Sequence, residues 1–157
     1  MVNLLEMLKA RYEDEQKIKE SLENKAANLV AFVAIIITIY TGFYFEILIK
    51  QATLKFCSFL FWLGTIFYLA AGILCLFALW IRWGSAPCRV TQDFIDDCRK
   101  SLISEKRLEE ILQTDYFNAI EDLSAGNDRK ARFLYCGFSL AFIGVFLTVL
   151  VLVCALS

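Results

Sequence analysis

Charge falls in blocks along this chain. Residues 26–45, 56–81 and 133–157 hold no acidic or basic side chain, and the three stretches are 20, 26 and 25 residues long. A hydrocarbon layer about 30 Å thick takes roughly 20 helical residues at about 1.5 Å each. Each stretch therefore reads as a membrane-crossing helix, because a soluble fold of this size has no way to cover three of them. The pattern predicts an all-α membrane protein: three transmembrane helices with a cytoplasmic helical layer. Its expected parts are an N-terminal helix (1–25), a transmembrane hairpin (26–81, with spans 26–45 and 56–81), a cytoplasmic helical segment (82–132) and a third transmembrane helix (133–157). A cleavable signal peptide opens with only a short basic segment. Here about 25 strongly charged residues come first, so the N-terminal segment is expected to stay on the protein.

The polar blocks also carry a helical period. Residues 3–25 contain no Pro or Gly, and Leu4, Leu5, Leu8, Tyr12, Ile18, Leu22 and Leu29 recur mostly three or four apart. Glu13–Lys17 and Glu15–Lys19 stand at the i,i+4 spacing that favours ion pairs. Nothing interrupts the pattern at Lys25, so this helix is expected to continue into span one as a rod of about 40 residues, roughly 60 Å long. In the 82–132 segment, Gly84-Ser85-Ala86-Pro87 predicts a turn, and Thr91 can cap a helix with Phe94, Ile95, Cys98 and Leu102 on one face. From about Ser104 to Ser124 a further stretch places Leu108, Ile111, Leu112, Tyr116, Ile120 and Leu123 together. One bent helix and two separate helices both fit. Gly126-Asn127 is expected to end this helix, and Asp128 to cap the next, which becomes span three.

Basic residues orient the spans. Residues 1–25 and 82–132 together carry fourteen Lys and Arg, against Lys50 and Lys55 in the connection between spans one and two. The excess marks the cytoplasmic side. The N-terminus and the 82–132 segment are accordingly placed in the cytoplasm, and Ser157 outside, across the cell (inner or plasma) membrane. Trp80 and Trp83 around Arg82, and Tyr40 and Tyr44, suit the aromatic belts at the two interfaces.

Composition narrows the chemistry. The chain is 59% apolar and 15% aromatic, its mean hydropathy is +0.57, and its formal net charge is −1. No nucleic acid polymer is expected as a partner. The absence of His removes Ser-His-Asp triads, Cys-His dyads and His-ligated zinc. Cys57, Cys75, Cys136 and Cys154 lie in spans, where a thiol behaves as a small apolar group. Cys88 and Cys98 lack a metal spacing; Cys88 is near enough to the membrane for palmitoylation, though a plain thiol is the simpler reading. The carboxylate pairs Asp96-Asp97 and Glu109-Glu110 fall on solvent-facing positions. No catalytic, cofactor or metal site is expected, and an enzyme is not. No ionisable group lies deep in a span, which argues against proton relays and ion-coupled transport. Glu46 beside Lys50 reads as an interfacial anchor. Asn28, one turn inside, is placed to hydrogen-bond across helices or to line a pore mouth.

Small residues recur at steps of four and three within each span. They are Ala27, Ala31, Ala34 and Thr38 in the first, Gly64, Ala71, Cys75 and Ala78 in the second, and Gly137, Ala141, Gly144 and Thr148 in the third. Apolar burial does not drive helices together in lipid, so close backbone approach must supply the attraction. These stripes are expected to pack the three spans on one another or on further copies of the chain. A homo-oligomer fits this pattern.

Two stretches resemble a known group. Tyr12-Glu13-Asp14-Glu15 is followed by Ser21-Leu22-Glu23-Asn24-Lys25-Ala26-Ala27-Asn28-Leu29-Val30-Ala31-Phe32, and Asn127-Asp128-Arg129-Lys130-Ala131-Arg132-Phe133-Leu134 leads towards Gly144. An acidic helix, then S-L-[DE]-x-K-A-x-x-L-x-x-F carried by Ser21, Leu22, Lys25 and Ala26, then an apolar span, resembles the small prokaryotic SLATT-type and Pycsar-type transmembrane effectors of anti-phage nucleotide-signalling systems. The resemblance implies an oligomer that perforates or depolarises the inner membrane on a second-messenger signal, with a cytoplasmic signalling nucleotide or a partner protein as trigger. It departs from the wider group in having no separate sensor domain beside the helices. The other reading is a non-conducting adaptor or scaffold, docking a cytoplasmic protein through Leu108, Leu112, Tyr116 and Ile120.

Overall fold

A computed structural model describes residues 4–44, 55–81, 87 and 105–156. Among these residues the secondary structure is helical: α1 spans Leu4–Phe43, α2 Lys55–Trp80 and α3 Glu105–Leu156. All three are long and apolar enough to cross a membrane. α1 has no Gly or Pro before Gly42, and the chain's one Pro, Pro87, lies outside the helices. Hydroxyls along the spans donate to the carbonyl four residues back, as in Thr38 to Ala34 (2.9 Å), Thr65 to Phe61 (3.0 Å) and Ser139 to Tyr135 (3.1 Å). Such back-bonding lets a hydroxyl face lipid without an unsatisfied donor.

The chain divides into two compact units, Met1–Ser21 with Arg82–Asp128, and Leu22–Ile81 with Arg129–Ser157. In the second unit, α2 runs antiparallel to both other helices. Tyr40 meets Phe61 while Val33 lies near Gly72, and Tyr68 meets Thr148 while Phe77 lies near Phe133. Its core includes Leu29, Val33 and Tyr40 of α1, Phe61, Tyr68 and Cys75 of α2, and Leu134, Ala141 and Val151 of α3. Outside that core, Ile35, Trp62, Ile66, Phe142 and Phe146 are exposed, as large apolar side chains in contact with lipid tails should be. In the first unit, Tyr12 of α1 meets Tyr116 of α3 edge to face at 5.9 Å, and Leu112, Ala119 and Leu123 are buried.

One expectation fails. The helix does not stop at Gly126-Asn127, and Asp128 caps nothing, because α3 is unbroken through all three. The Asn127 amide, which would have to turn back on its own backbone to end the helix, donates instead to the Glu15 carbonyl and carboxylate, at 3.0 Å each. The cost of one helical Gly, about 1 kcal/mol, is smaller than what continuous packing supplies. The helix expected after Thr91, with its face of Phe94, Ile95, Cys98 and Leu102, lies outside the described residues, as do Glu46, Lys50, Cys88 and Gly84-Ser85-Ala86.

Candidate functional site

The small residues of spans two and three meet. Gly64, Ala71, Cys75 and Ala78 of α2 and Gly137, Ala141 and Gly144 of α3 are all buried, and Thr148 is half-buried. Added to Gly137, a Cβ would lie 2.8 Å from Cys75 Sγ and 3.4 Å from the Ala71 carbonyl oxygen. On Gly144 it would lie 2.8 Å from Tyr68 Cε1. Each glycine is thus a notch filled by a side chain of α2. Tyr68, which interrupts the stripe in the sequence, is the knob that fills the second notch and is fully buried. Its hydroxyl lies 3.0 Å from Thr148 Oγ1, which in turn donates to the Gly144 carbonyl at 3.0 Å. Tyr40 packs on Phe61 at 4.5 Å and faces Tyr68 at 6.3 Å, with its hydroxyl buried.

Span one behaves differently. Ala27, Ala31, Ala34 and Thr38 are exposed, so they do not pack against the other two spans of the same chain. Of the two expected uses of this stripe, packing within the chain is corrected: it lies on the outer side of α1. Notches accept knobs, and α1 supplies them from its other face: Leu29 reaches the Gly137 notch, and Val33 lies against Gly72. A row of alanines facing a row of glycines would have left both unfilled. Of the motif residues, Ser21 and Lys25 are exposed, Leu22 is half-buried against the core, and Ala26 is buried.

Polar contacts hold α1 to α3 within each unit. In the second unit, Lys130 is 3% exposed and forms an ion pair with Glu23. In the first, Glu15 is buried, accepts from Asn127, and pairs with Arg11 at 3.1 Å. Sequence reasoning missed the cross-helix roles of Glu15, Glu23, Asn127 and Lys130. Their polarity was visible, but the register that sets Glu15 beside Asn127, and Glu23 beside Lys130, is a tertiary property. The proposed docking face is also corrected. Leu112 is buried, and Leu108, Tyr116 and Ile120 are half-buried, with Tyr116 already against Tyr12. The apolar side chains that this part of α3 exposes are Ile111 and Phe117. Ile111 also lines an open cleft of about 320 Å³, with Arg107, Glu110, Thr114 and Asp115. No group of three or more metal-ligating side chains occurs among the described residues.

Three crossing helices, sealed by notches and hydroxyls, define a multi-pass helical membrane protein. The profile of the Pycsar effector protein domain, PycTM, matches residues 8–157. The chain therefore belongs to the Pycsar effector family, the membrane effectors of an anti-phage defence system. Neither the curated proteins nor the solved structures contained a match.

Proposed function

We propose that this chain is an oligomeric inner-membrane effector that perturbs or permeabilises the bilayer when a cytoplasmic signal arrives. In this reading the N-terminus and residues 82–132 lie in the cytoplasm, Ser157 lies outside, and the protein performs no catalysis. The observation that supports it is continuity: α1 and α3 each contribute to both units without a break. A continuous helix converts a displacement at one end into a displacement of a span. A trigger acts only if it binds the resting and open arrangements with different affinity. Phosphates are poorly suited to the open cleft on α3, where Glu110 and Asp115 accompany Arg107. The trigger in this reading is a signalling nucleotide held between copies, or a protein.

The test is dye release from vesicles carrying the purified protein, with candidate triggers added singly. Release with one trigger, and none without it, is expected; tight vesicles under every trigger, together with a stoichiometric bound protein, would establish the adaptor reading instead. Exposed Ile111 and Phe117 are the observation in favour of that second reading.

A further inference from the structure

A groove of about 590 Å³ runs between α1 and α3 within the second unit. Phe32, Phe138, Phe142 and Val145 line its length, and Lys25 and Asn28 stand at one end. Further along, a second open space of about 190 Å³ lies against Ile36 and Ile39 of α1, Val149 of α3 and Tyr68 of α2. The first volume is in the range that takes a ligand of several hundred daltons. The polar end is unsatisfied: among the described residues, Lys25 has no ion-pair partner and Asn28 no hydrogen-bond partner. The nearest acid in sequence, Glu23, is taken by Lys130.

We propose that this groove is a binding site for one anionic phospholipid. Its phosphate sits at the Lys25 ammonium and the Asn28 amide, and one acyl chain lies along Phe32, Phe138 and Phe142. The charge pattern selects this occupant. The free cation lies where a span begins, at headgroup depth, and the Asn28 amide adds two donors one turn deeper. A two-fold contact with a second copy through this groove would instead bring two Lys25 ammonium groups together.

The test is native mass spectrometry of the full chain, released from vesicles of phosphatidylglycerol and phosphatidylcholine with identical tails. About fivefold enrichment of the anionic lipid is expected, the effect of one lysine at a bilayer surface. Lys25→Gln should abolish the enrichment and Lys25→Arg keep it. Arg132→Gln, which removes an exposed charge beside the Lys130 end but off the groove, should also keep it. Val145→Trp should lower the count of both lipids with helicity unchanged. Equal retention of the two lipids by the wild type, a preference that survives Lys25→Gln, or equal losses in Lys25→Gln and Arg132→Gln would each overturn the proposal. So would a lipid-free dimer that Phe142→Ala disperses, which would make the occupant a second copy.

Discussion

The outer face of α1 and the seam between α2 and α3 carry the same sequence pattern, small residues at alternating steps of four and three, and use it oppositely. In the seam, Gly137 and Gly144 are within a few ångströms of Cys75 and Tyr68. On α1, Ala27, Ala31, Ala34 and Thr38 touch nothing that buries them. A small residue becomes a packing site only where a larger one on the neighbouring helix projects into it. The period reveals a helix face that can be approached closely; it does not name what approaches.

The comparison is broken most severely at Gly144. Gly144→Leu drives a branched side chain into the Tyr68 ring, and thermal unfolding in detergent should show a loss of about 3 kcal/mol, the upper range for overpacking. Gly137→Ala should cost about 1–2 kcal/mol by the same measurement. Combined with Cys75→Ala, which removes the opposing sulfur, it should cost less than the sum of the two single changes, and a double-mutant cycle reads that coupling. Tyr68→Phe keeps the knob and deletes the bond to Thr148, so a loss of about 0.6–1 kcal/mol is expected, as for other hydrogen bonds between membrane helices. The smallest effect belongs to the outer face: Ala31→Leu should change monomer stability by no more than about 0.5 kcal/mol. If the same variant shifts the particle mass measured in detergent, the α1 stripe is an intermolecular surface, and the contrast with the seam is sharpened.

The spans and the unbroken N-terminal helix were legible because both rest on local properties, a charge-free length and the absence of breakers. The α2 and α3 stripes were legible for the same reason. The pairing was not. Tyr68 looked like an interruption of its stripe because its meaning depends on Gly144, 76 positions away. Asn127 looked like a helix stop because only the register of α1 against α3 turns its amide towards Glu15. Leu112 and Tyr116 looked like a free docking face because their amphipathic period is the same whether the partner is another protein or α1 of the same chain. In each case the residue type stated a requirement, for volume, for a donor or for cover, and the fold decided which neighbour met it.

The Glu23–Lys130 pair has an electrical consequence. Each charge alone, at the margin of a span, would respond to the membrane potential, by about 2.3 kcal/mol for every elementary charge carried fully across 100 mV. Held together they sum to zero, so this pair itself adds no work against the field when α1 and α3 shift together. Parting them would create two charges pulled in opposite directions, and only then would the energised state of the cell bear on the arrangement of these helices.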